Sequence, residues 1–284
     1  MKPNTLLLVD GSGLLFQMFY GMPARIVGKN GQPVHAVFGF IGALLKVIRQ
    51  TEATHVLVLF DGETGNFRSE LSADYKANRP DYSAVPEEET PFSQLSDIKR
   101  VLDRLAVPYY EVTENWEADD VIASYALSIG GEDTAVILSQ DKDYLQLVSD
   151  RVRVFCYRGK QSVLYDEKTV TEKFGIAPRF FSDFKALAGD ASDNVRGLPG
   201  IGPKTACELI CRFGGVSDIL AHVEDIPKPS VRKTVAEFAG TLLLNKQLVI
   251  LTGDVPVPYS FDKLAIPDAP FPETAEALRS AGIM

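Results

Sequence analysis

The sequence predicts an α/β fold with a mostly parallel central sheet flanked by helices. Three short apolar runs, TLLLVD (5–10), HVLVLFD (55–61) and TAVILSQDKD (134–143), lack the polar alternation of half-exposed strands. Such runs are typical of strands that are buried on both faces. Helical patterns separate the three runs, and an alternation of strands with helices favours a parallel sheet.

The helical patterns between the strands cover residues 37–50, 92–105 and 117–130. The segment 62–91 interrupts this alternation, because it is long, polar and punctuated by glycine and proline. A connection of that length is usually functional or disordered.

Short helical patterns replace the alternation from about residue 178 onward. We therefore expect two domains, a core of residues 1–177 that includes the segment 62–91, and a helical domain of residues 178–284. The proline-rich tail from about residue 253 is expected to wrap over the surface.

Composition narrows the class of protein. The chain has 284 residues, of which 45% are hydrophobic, and its formal net charge is −9. That charge taken alone argues against a nucleic-acid partner, which usually requires a basic surface. The cysteines Cys156, Cys207 and Cys211 form no C-x-x-C pair, as expected in a reducing compartment. With no signal peptide or membrane-spanning run, we expect a cytoplasmic protein.

Aspartates end each of the three predicted strands, at Asp10, at Asp61 and at the pair Asp141 and Asp143. Sites in open parallel sheets form outside the carboxyl ends of the strands, so these four side chains are expected at one edge. Aspartate is also common in the turns after strands, which would account for any one of them.

Two further stretches add five acids. NWEADD (115–120) and GDASDN (189–194) contribute Glu117, Asp119, Asp120, Asp190 and Asp193. Acids in the first turn of a helix also suit its dipole, which explains one or two of those in the first stretch.

Nine carboxylates in one cleft require compensation. Two charges roughly 4 Å apart repel by about 4 kcal/mol at an effective dielectric constant of roughly 20. Either some acids are protonated or divalent cations bind, and oxygen ligands without histidine or cysteine favour Mg²⁺ or Mn²⁺. Two such ions about 4 Å apart suit the hydrolysis of phosphate esters. Outside these nine acids the chain carries no net charge, which leaves room for a basic face.

The stretch GLPGIGPKTA (197–206) is typical of a helix-hairpin-helix. Gly200 and Gly202 allow a tight turn, and Pro203 suits the first turn of the next helix. The amides of that helix would face an anion with Lys204 beside them, and such a loop grips a nucleic-acid backbone without reading its sequence. Glycine-proline turns between helices are also common without any ligand.

The segment 62–91 combines basic and aromatic residues, Arg68, Tyr75, Lys76, Arg79 and Tyr82. This mixture suits a single strand, whose bases stack and whose phosphates pair with cations. The alternative is a solvated charged loop.

Together these motifs resemble the 5′-nuclease (flap endonuclease) family, especially the 5′→3′ exonuclease domain of bacterial DNA polymerase I. The resemblance covers about residues 5–215 and lies in LLLVDGSGLLF, VLVLFDGETGNFRSELSADYKANRP, EADD, ILSQDKDYLQLV and GDASDNVRGLPGIGPKTA, which follow the order of the family.

The resemblance implies a PIN-like fold with a helical arch at 62–91 and a helix-hairpin-helix at about 185–215. It implies a structure-specific 5′→3′ exonuclease and flap endonuclease that hydrolyses DNA by a two-metal-ion mechanism in replication and repair. Two or more Mg²⁺ or Mn²⁺ ions would be held by Asp10, Asp61, Glu117, Asp119, Asp120, Asp141, Asp143, Asp190 and Asp193.

The same resemblance assigns Lys76 and Arg79 to the scissile phosphate and implies a K⁺ ion at the helix-hairpin-helix. The expected partners are 5′ flaps, nicks, branched duplexes and RNA primers, together with a DNA polymerase. We expect a monomer in a bacterial cytoplasm, associated with the nucleoid. The predicted DNA contacts are Tyr20, Arg68, Gly200, Gly202 and Lys204.

The chain departs from the family at two positions, since Gln17 stands where arginine is common and Gly13 where a second serine is common. By the resemblance, the first departure would leave one phosphate contact near the first metal without its arginine. Tyr20 still offers a ring on which a base can stack.

Three alternatives remain open. One is a branched-DNA-binding module with weakened nuclease activity, which the intact set of nine acids disfavours. DKD (141–143) is similar to the acidic pair of Toprim domains, and Asp10 to the strand-end aspartate of haloacid-dehalogenase phosphatases. Those phosphatases require D-x-D, whereas Ser12 stands here in place of the second aspartate. Neither fold accounts for residues 197–206.

Overall fold

The computed structural model describes residues 3–22, 26–62, 66–82, 85–113, 115–267 and 270–284. The predicted arch at 62–91 therefore lies partly outside the described residues, at 63–65 and 83–84. The same holds for residues 268–269 of the predicted wrap and for 1–2, 23–25 and 114 of the predicted core.

A central sheet organises the first part of the chain. Its strands within the described residues are β1 (Thr5–Asp10), β2 (His55–Asp61), β3 (Tyr109–Val112), β4 (Thr134–Leu138), β5 (Val152–Cys156) and β6 (Val163–Tyr165). Their order is β3-β2-β1-β4-β5-β6, and the first five strands run parallel while β6 pairs antiparallel with β5. The predicted α/β class with a mostly parallel sheet is confirmed.

Helices cover both faces of this sheet and continue beyond it. They are α1 (Gly11–Gly21), α2 (His35–Thr51), α3 (Phe67–Leu71), α4 (Leu95–Arg104), α5 (Ala118–Ser128), α6 (Glu167–Phe174), α7 (Phe181–Ala188), α8 (Pro203–Phe213), α9 (Val216–Ala221), α10 (Pro229–Glu237), α11 (Ala239–Val249) and α12 (Thr274–Ser280). Among the described residues, none of these helices has the length and apolarity needed to cross a membrane.

The central strand β1 shows why the apolar runs form strands here. Leu6 and Leu8 point into one core, which also contains residues of α5 and of α6–α11, whereas Leu7 and Val9 point into another with α1, α2, α4 and α12. All four side chains are fully buried. A strand covered on both faces has no polar alternation.

The structure differs from the sequence prediction in two places. β4 ends at Leu138, and Asp143 opens a 3₁₀ helix, Asp143–Leu147, so the last two aspartates lie in the turn after the strand. The described part of 62–91 contains the five-residue helix α3, successive turns at 73–78 and the 3₁₀ helix Glu87–Glu89. This part of the segment is mostly turn and does not form a continuous helical arch.

The predicted helix-hairpin-helix begins with α7, which is followed by the short pair β7 (Gly189–Asp190) and β8 (Val195–Arg196) and then by α8. A Cβ at Gly189 would lie 2.4 Å from the Gly197 nitrogen, so the two backbones approach closely only because residue 189 is glycine. Gly200 has a φ of +75°, and α8 begins at Pro203 as predicted.

Candidate metal centre

The carboxyl ends of β1 and β2 and the turn after β4 bring acids to one edge of the sheet. We call Asp10, Asp61 and Asp119 the first aspartate group. Asp10 ends β1 and Asp61 ends β2, where its Oδ1 accepts a hydrogen bond from the Ala118 amide at 3.0 Å. This bond ties the end of β2 to the start of α5, one residue before Asp119.

Ser139 links the acids of β1 to those after β4. Its hydroxyl donates to Asp10 Oδ2 at 2.6 Å and accepts from the Asp141 amide at 2.9 Å. Asp10 Oδ1 also accepts from the Gly13 amide at 2.7 Å, which caps α1. The capping bond fixes the direction of this carboxylate before any ligand binds.

The electrostatics of this group reflect uncompensated charge. Burial raises the pKa of Asp10 to about 6, and the nearby charges of Asp61 and Asp141 add to the shift. Burial also raises the pKa of Asp119 well above its usual range, with a further contribution from Asp61. The Tyr144 hydroxyl donates a hydrogen bond to Asp119. These carboxylates therefore resist ionisation unless a cation joins them.

Asp143, Asp190 and Asp193 form the second aspartate group. One carboxylate oxygen of each lies within 4.8 Å of those of the other two, and all three side chains are buried. Lys185 of α7 forms ion pairs with Asp143 and, at 2.5 Å, with Asp190.

The pKa values within the second group diverge. Burial would raise the pKa of Asp190, but Lys185 and the hydrogen bonds from Ser192 hold it below its usual value. Burial raises the pKa of Asp193, although Lys76 and Arg79 oppose this. Lys185 was not predicted from the sequence, and the available signal was the single lysine of the helix FSDFKALA, whose second half is otherwise apolar.

Asp141 lies between the two groups. Burial raises its pKa, Lys185 opposes the shift, and Asp190 adds to it. Because it also acts on Asp10 and Asp119, its charge is felt by both groups.

Asp120 is held in a different environment from the other acids. It is fully buried, and its two oxygens accept hydrogen bonds from Arg68 at 2.7 and 2.8 Å. The amides of Thr252 and Glu117 donate to the same carboxylate at 2.9 and 3.2 Å. Its acceptor positions are therefore used within the protein, and the structure does not bring it into either aspartate group.

Arg68 is correspondingly remote from solvent. Its side chain is 1% exposed, and besides Asp120 it contacts Glu117 at 2.9 Å and the Ile250 carbonyl at 2.7 Å. The prediction that Arg68 contacts DNA does not fit this burial. Its role in the structure is to join α3, α5 and the end of α11.

Glu117 connects the acidic edge to residues 66–82. Its carboxylate accepts hydrogen bonds from Asn66 at 3.0 Å and Tyr75 at 3.1 Å, and it also pairs with Lys76. Burial alone would lower the pKa of Lys76, but Glu117 and Asp119 raise it, so the ammonium stays charged.

Residues 74–79 lie directly on the turn that carries Asp190 and Asp193 of the second aspartate group. The Lys76 amide donates to the Asp193 carbonyl at 3.0 Å, and Arg79 pairs with the Asp193 carboxylate at 3.3 Å. Asn78 donates to the Ala191 carbonyl at 2.9 Å. The two predicted phosphate-contacting cations are thus adjacent to the acids.

The remaining predicted DNA contacts are exposed. Tyr20 is 61% exposed, and its hydroxyl lies 3.0 Å from that of Tyr82. Gly200, Gly202 and Lys204 lie on the exposed side of the turn before α8.

Comparison with known proteins identifies the class to which this fold and edge of acids belong. A family model described as the 5′-3′ exonuclease N-terminal resolvase-like domain matches residues 5–175. A second, described as the 5′-3′ exonuclease C-terminal SAM fold, matches residues 176–270. The chain belongs to the 5′-3′ exonuclease family.

Particular relatives agree with this assignment. DNA polymerase I of Rhizobium leguminosarum is 38% identical over 275 residues, which cover 93% of this chain and 26% of the relative. DNA polymerase I of Bacillus subtilis is 34% identical, with 91% and 29% covered. The chain therefore spans between a quarter and a third of the length of these curated relatives.

Solved structures show the same fold. The T5 D15 protein co-crystallized with metal ions is 25% identical, with a TM-score of 0.72 and coverage of 98% of this chain and 97% of that chain. The catalytic core of Rad2 in complex with DNA substrate is 16% identical, with a TM-score of 0.57 and coverage of 98% and 87%.

Proposed function

We propose that this chain is a structure-specific 5′→3′ exonuclease and flap endonuclease that hydrolyses DNA phosphodiesters with two divalent metal ions, in replication and repair. The observation that carries this proposal is the meeting of two aspartate groups at one sheet edge, with Asp141 between them. Membership of the 5′-3′ exonuclease family supports the reaction class.

The donor chemistry of the edge fits Mg²⁺ or Mn²⁺. The one cluster of metal-ligand type found among the described residues consists of aspartates alone, and hard divalent cations prefer such oxygens. Metal ions co-crystallized with the T5 D15 protein support a divalent metal site. The raised pKa values of Asp10 and Asp119 fit carboxylates that ionise fully when a cation is present.

The two groups suggest how the ligands divide. We assign Asp10, Asp61 and Asp119 to one ion and Asp143, Asp190 and Asp193 to the other, with Asp141 between them. Glu117 borders the first ion and is covered by Lys76. Asp120 supports the site by fixing Arg68 and α5.

When bound, the metal ions polarise the scissile phosphate and lower the pKa of the attacking water. The protein's own residues position the substrate. Lys76 and Arg79, which pair with Glu117 and Asp193, exchange these carboxylates for phosphate oxygens as DNA enters. Their charges then stabilise the negative charge that develops in the transition state.

Other residues hold the DNA away from the cut. Tyr20 stacks on a base. The amides at the start of α8 and Lys204 hold the duplex backbone around Gly200 and Gly202, with a K⁺ ion on the loop carbonyls.

The wider setting follows the relatives. We propose a core domain of residues 1–177 and a helix-hairpin-helix domain of 178–284, acting as a monomer in a bacterial cytoplasm at the nucleoid. DNA flaps, nicks and RNA primers are the proposed substrates and a DNA polymerase the proposed partner, since curated relatives are DNA polymerase I.

Cleavage of 5′-labelled flap and nicked duplexes tests the proposal. We expect cleavage with Mg²⁺ or Mn²⁺ and none with EDTA, and cleavage that persists in EDTA would contradict the two-metal mechanism. A branched-DNA-binding module is the second candidate, and the ion pairs of Lys185 within the second aspartate group favour it. Tight flap binding without cleavage in either metal would support that candidate.

A further inference from the structure

An arginine is held beside the metal centre by a short hydrogen-bond chain. Gln17 of α1 and Gln140 both donate to the Tyr157 carbonyl, each at 2.7 Å. The Gln140 side-chain oxygen accepts from Arg158 Nε at 2.9 Å. Gln140 immediately precedes Asp141, so this chain ties the guanidinium to the residue before the aspartate that lies between the two groups.

The backbone that carries Arg158 is also fixed. Its amide donates to the Ser162 hydroxyl at 2.9 Å, and that hydroxyl donates to the Gly159 carbonyl at 2.8 Å. These bonds shape the hairpin between β5 and β6, so the position of Arg158 does not depend on a flexible loop.

The guanidinium is positioned but not neutralised. Arg158 is exposed, and within the part of the chain that the structure describes no carboxylate forms an ion pair with it. Its recorded side-chain bond uses Nε, which leaves the two terminal amino groups for a ligand. A planar guanidinium in this state matches the oxygens of a phosphate group.

Neighbouring cations make this corner attractive to anions. Lys142 and Lys160 are exposed on either side of Arg158 in the sequence, and Lys46 lies over the Tyr157 ring at 5.4 Å from its centre. Each of these lysines thus contacts, or lies within two residues of, a member of the hydrogen-bond chain, and together with Arg158 we call them the basic corner. A polyanion that reaches the acids through metal ions would pass this corner.

We propose that Arg158 binds a backbone phosphate of the nucleic acid next to the scissile phosphate, and that Gln140 positions its guanidinium for this contact. The inference rests on the proposed nuclease function. It also offers a reason why glutamine stands at position 17, because this side chain binds the same Tyr157 carbonyl as Gln140 does. Arg158 thus supplies from the β5–β6 hairpin the contact that an arginine at position 17 would make from α1.

The first test measures flap-DNA binding in EDTA over a range of salt concentrations. For Arg158→Ala we expect affinity about tenfold lower and a salt slope smaller by about one phosphate contact. Arg153→Ala, which removes the same charge from an exposed position on β5, is the matched control and should leave both quantities unchanged. Equal behaviour of the two variants would overturn the proposal.

The second test identifies the phosphate. Neutral methylphosphonates replace, one at a time, the phosphates on either side of the cut. At one position the methylphosphonate should weaken binding by the wild-type protein about as much as Arg158→Ala does. At that same position it should not weaken binding by the Arg158→Ala variant any further. If the losses of affinity from the methylphosphonate and from Arg158→Ala add at every position, Arg158 contributes only general positive charge and contacts no particular phosphate.

A rescue variant tests the relation to position 17. In the Arg158→Ala background, Gln17→Arg should restore the affinity and the salt slope, and failure to restore them would refute the exchange of roles. The proposed nuclease function fails by a separate result, the absence of metal-dependent flap cleavage by the wild-type protein. The binding measurements in EDTA do not depend on cleavage, so the two failures are distinguishable.

Discussion

The two aspartate groups share one edge of the sheet, yet they differ in how their charge is balanced. Lys185 forms ion pairs inside the second group, and Arg79 pairs with its third member. Among the described residues, no ion pair joins a lysine or arginine to the first group. Burial raises the pKa of Asp10 in the first group. In the second group Lys185 and Ser192 hold the pKa of Asp190 below its usual value, while burial still raises that of Asp193.

This difference indicates different dependence on metal. The first group has oxygens fixed by Gly13, Ser139 and Ala118 but, within the described part of the chain, no lysine or arginine in an ion pair with it, so a divalent ion removes a large repulsion. In the second group an ion has to displace or share ligands with Lys185. We therefore expect the first group to bind metal more tightly.

Substitution of Asp141, which both groups sense, should have the largest effect. Asp141→Asn should lower the single-turnover cleavage rate by at least about a thousandfold, because it weakens the electrostatic stabilisation that both sites supply. Flap binding should be retained, since the proposed DNA grip lies elsewhere. A rate near that of the wild type would refute the bridging role.

Lys185→Met should show, through its effect on stability, that the second group depends on Lys185 when no metal is bound. Without metal the variant should lose about 3 kcal/mol of unfolding free energy, because buried Asp143 and Asp190 lose their counter-ion. Mn²⁺ should restore most of this loss, measured by chemical denaturation.

Lys246→Met is the matched control for this experiment, since Lys246 pairs with the buried Asp183 at 2.8 Å away from both groups. Its loss should be insensitive to Mn²⁺. If Mn²⁺ restores the unfolding free energy of both variants equally, or of neither, then Lys185 does not take the place of a metal ion in the second group.

The pH dependence of the metal-free protein tests the first group. A folded pKa of about 6 for Asp10, against 3.8 for an ordinary aspartate, means that the folded state holds this proton more tightly than the unfolded state. This contribution is present below about pH 4 and is lost as pH rises through about 6, by roughly 3 kcal/mol.

Asp10→Asn should remove that part of the pH dependence, and saturating Mg²⁺ should reverse its sign. Denaturation curves between pH 4 and 7 measure both effects, with ranges set by the unfolded and folded pKa values. A wild-type profile that Asp10→Asn does not alter would show that Asp10 is not the group responsible.

The segment that covers the acids should affect chemistry more than binding. Lys76→Ala and Arg79→Ala should each lower the single-turnover rate at saturating protein by about tenfold or more, because their charges act on the transition state. Rates equal to wild type once DNA is bound would reduce this segment to a docking surface.

Much of the fold could be predicted because strands of a parallel sheet that are buried on both faces have continuous apolar sequences. β1, β2 and β4 have such runs. β3, with the sequence YYEV, is only partly buried, and the short strands β5 and β6 contain exposed positions. These strands are short and lack a continuous apolar run, so the sequence analysis did not reveal them.

Four of the acids were predictable for the same topological reason, since strand ends in a parallel sheet meet at one edge. The ion pairs of Arg68 and Lys185 were not, because they depend on tertiary docking. Arg68 reads as a DNA contact in a basic segment, yet residues 66–82 fold against α5 and bury it on Asp120. The pairing of Lys185 with Asp143 joins elements 42 residues apart and leaves no local pattern.

The smallest expected effect lies in the helix-hairpin-helix, where neither aspartate group takes part. Lys204 is exposed in the first turn of α8, where we expect it to contact the duplex backbone through charge alone. Lys204→Ala should weaken binding a few-fold for every DNA sequence and reduce the salt slope by about one, without changing the cleavage rate at saturation. Lys233→Ala, an exposed lysine on α10, is the charge-matched control and should leave the slope unchanged. A loss of affinity that varies with DNA sequence would contradict a contact to the backbone alone. A lower cleavage rate at saturation would show that this loop affects the reaction at the metal centre as well as DNA binding.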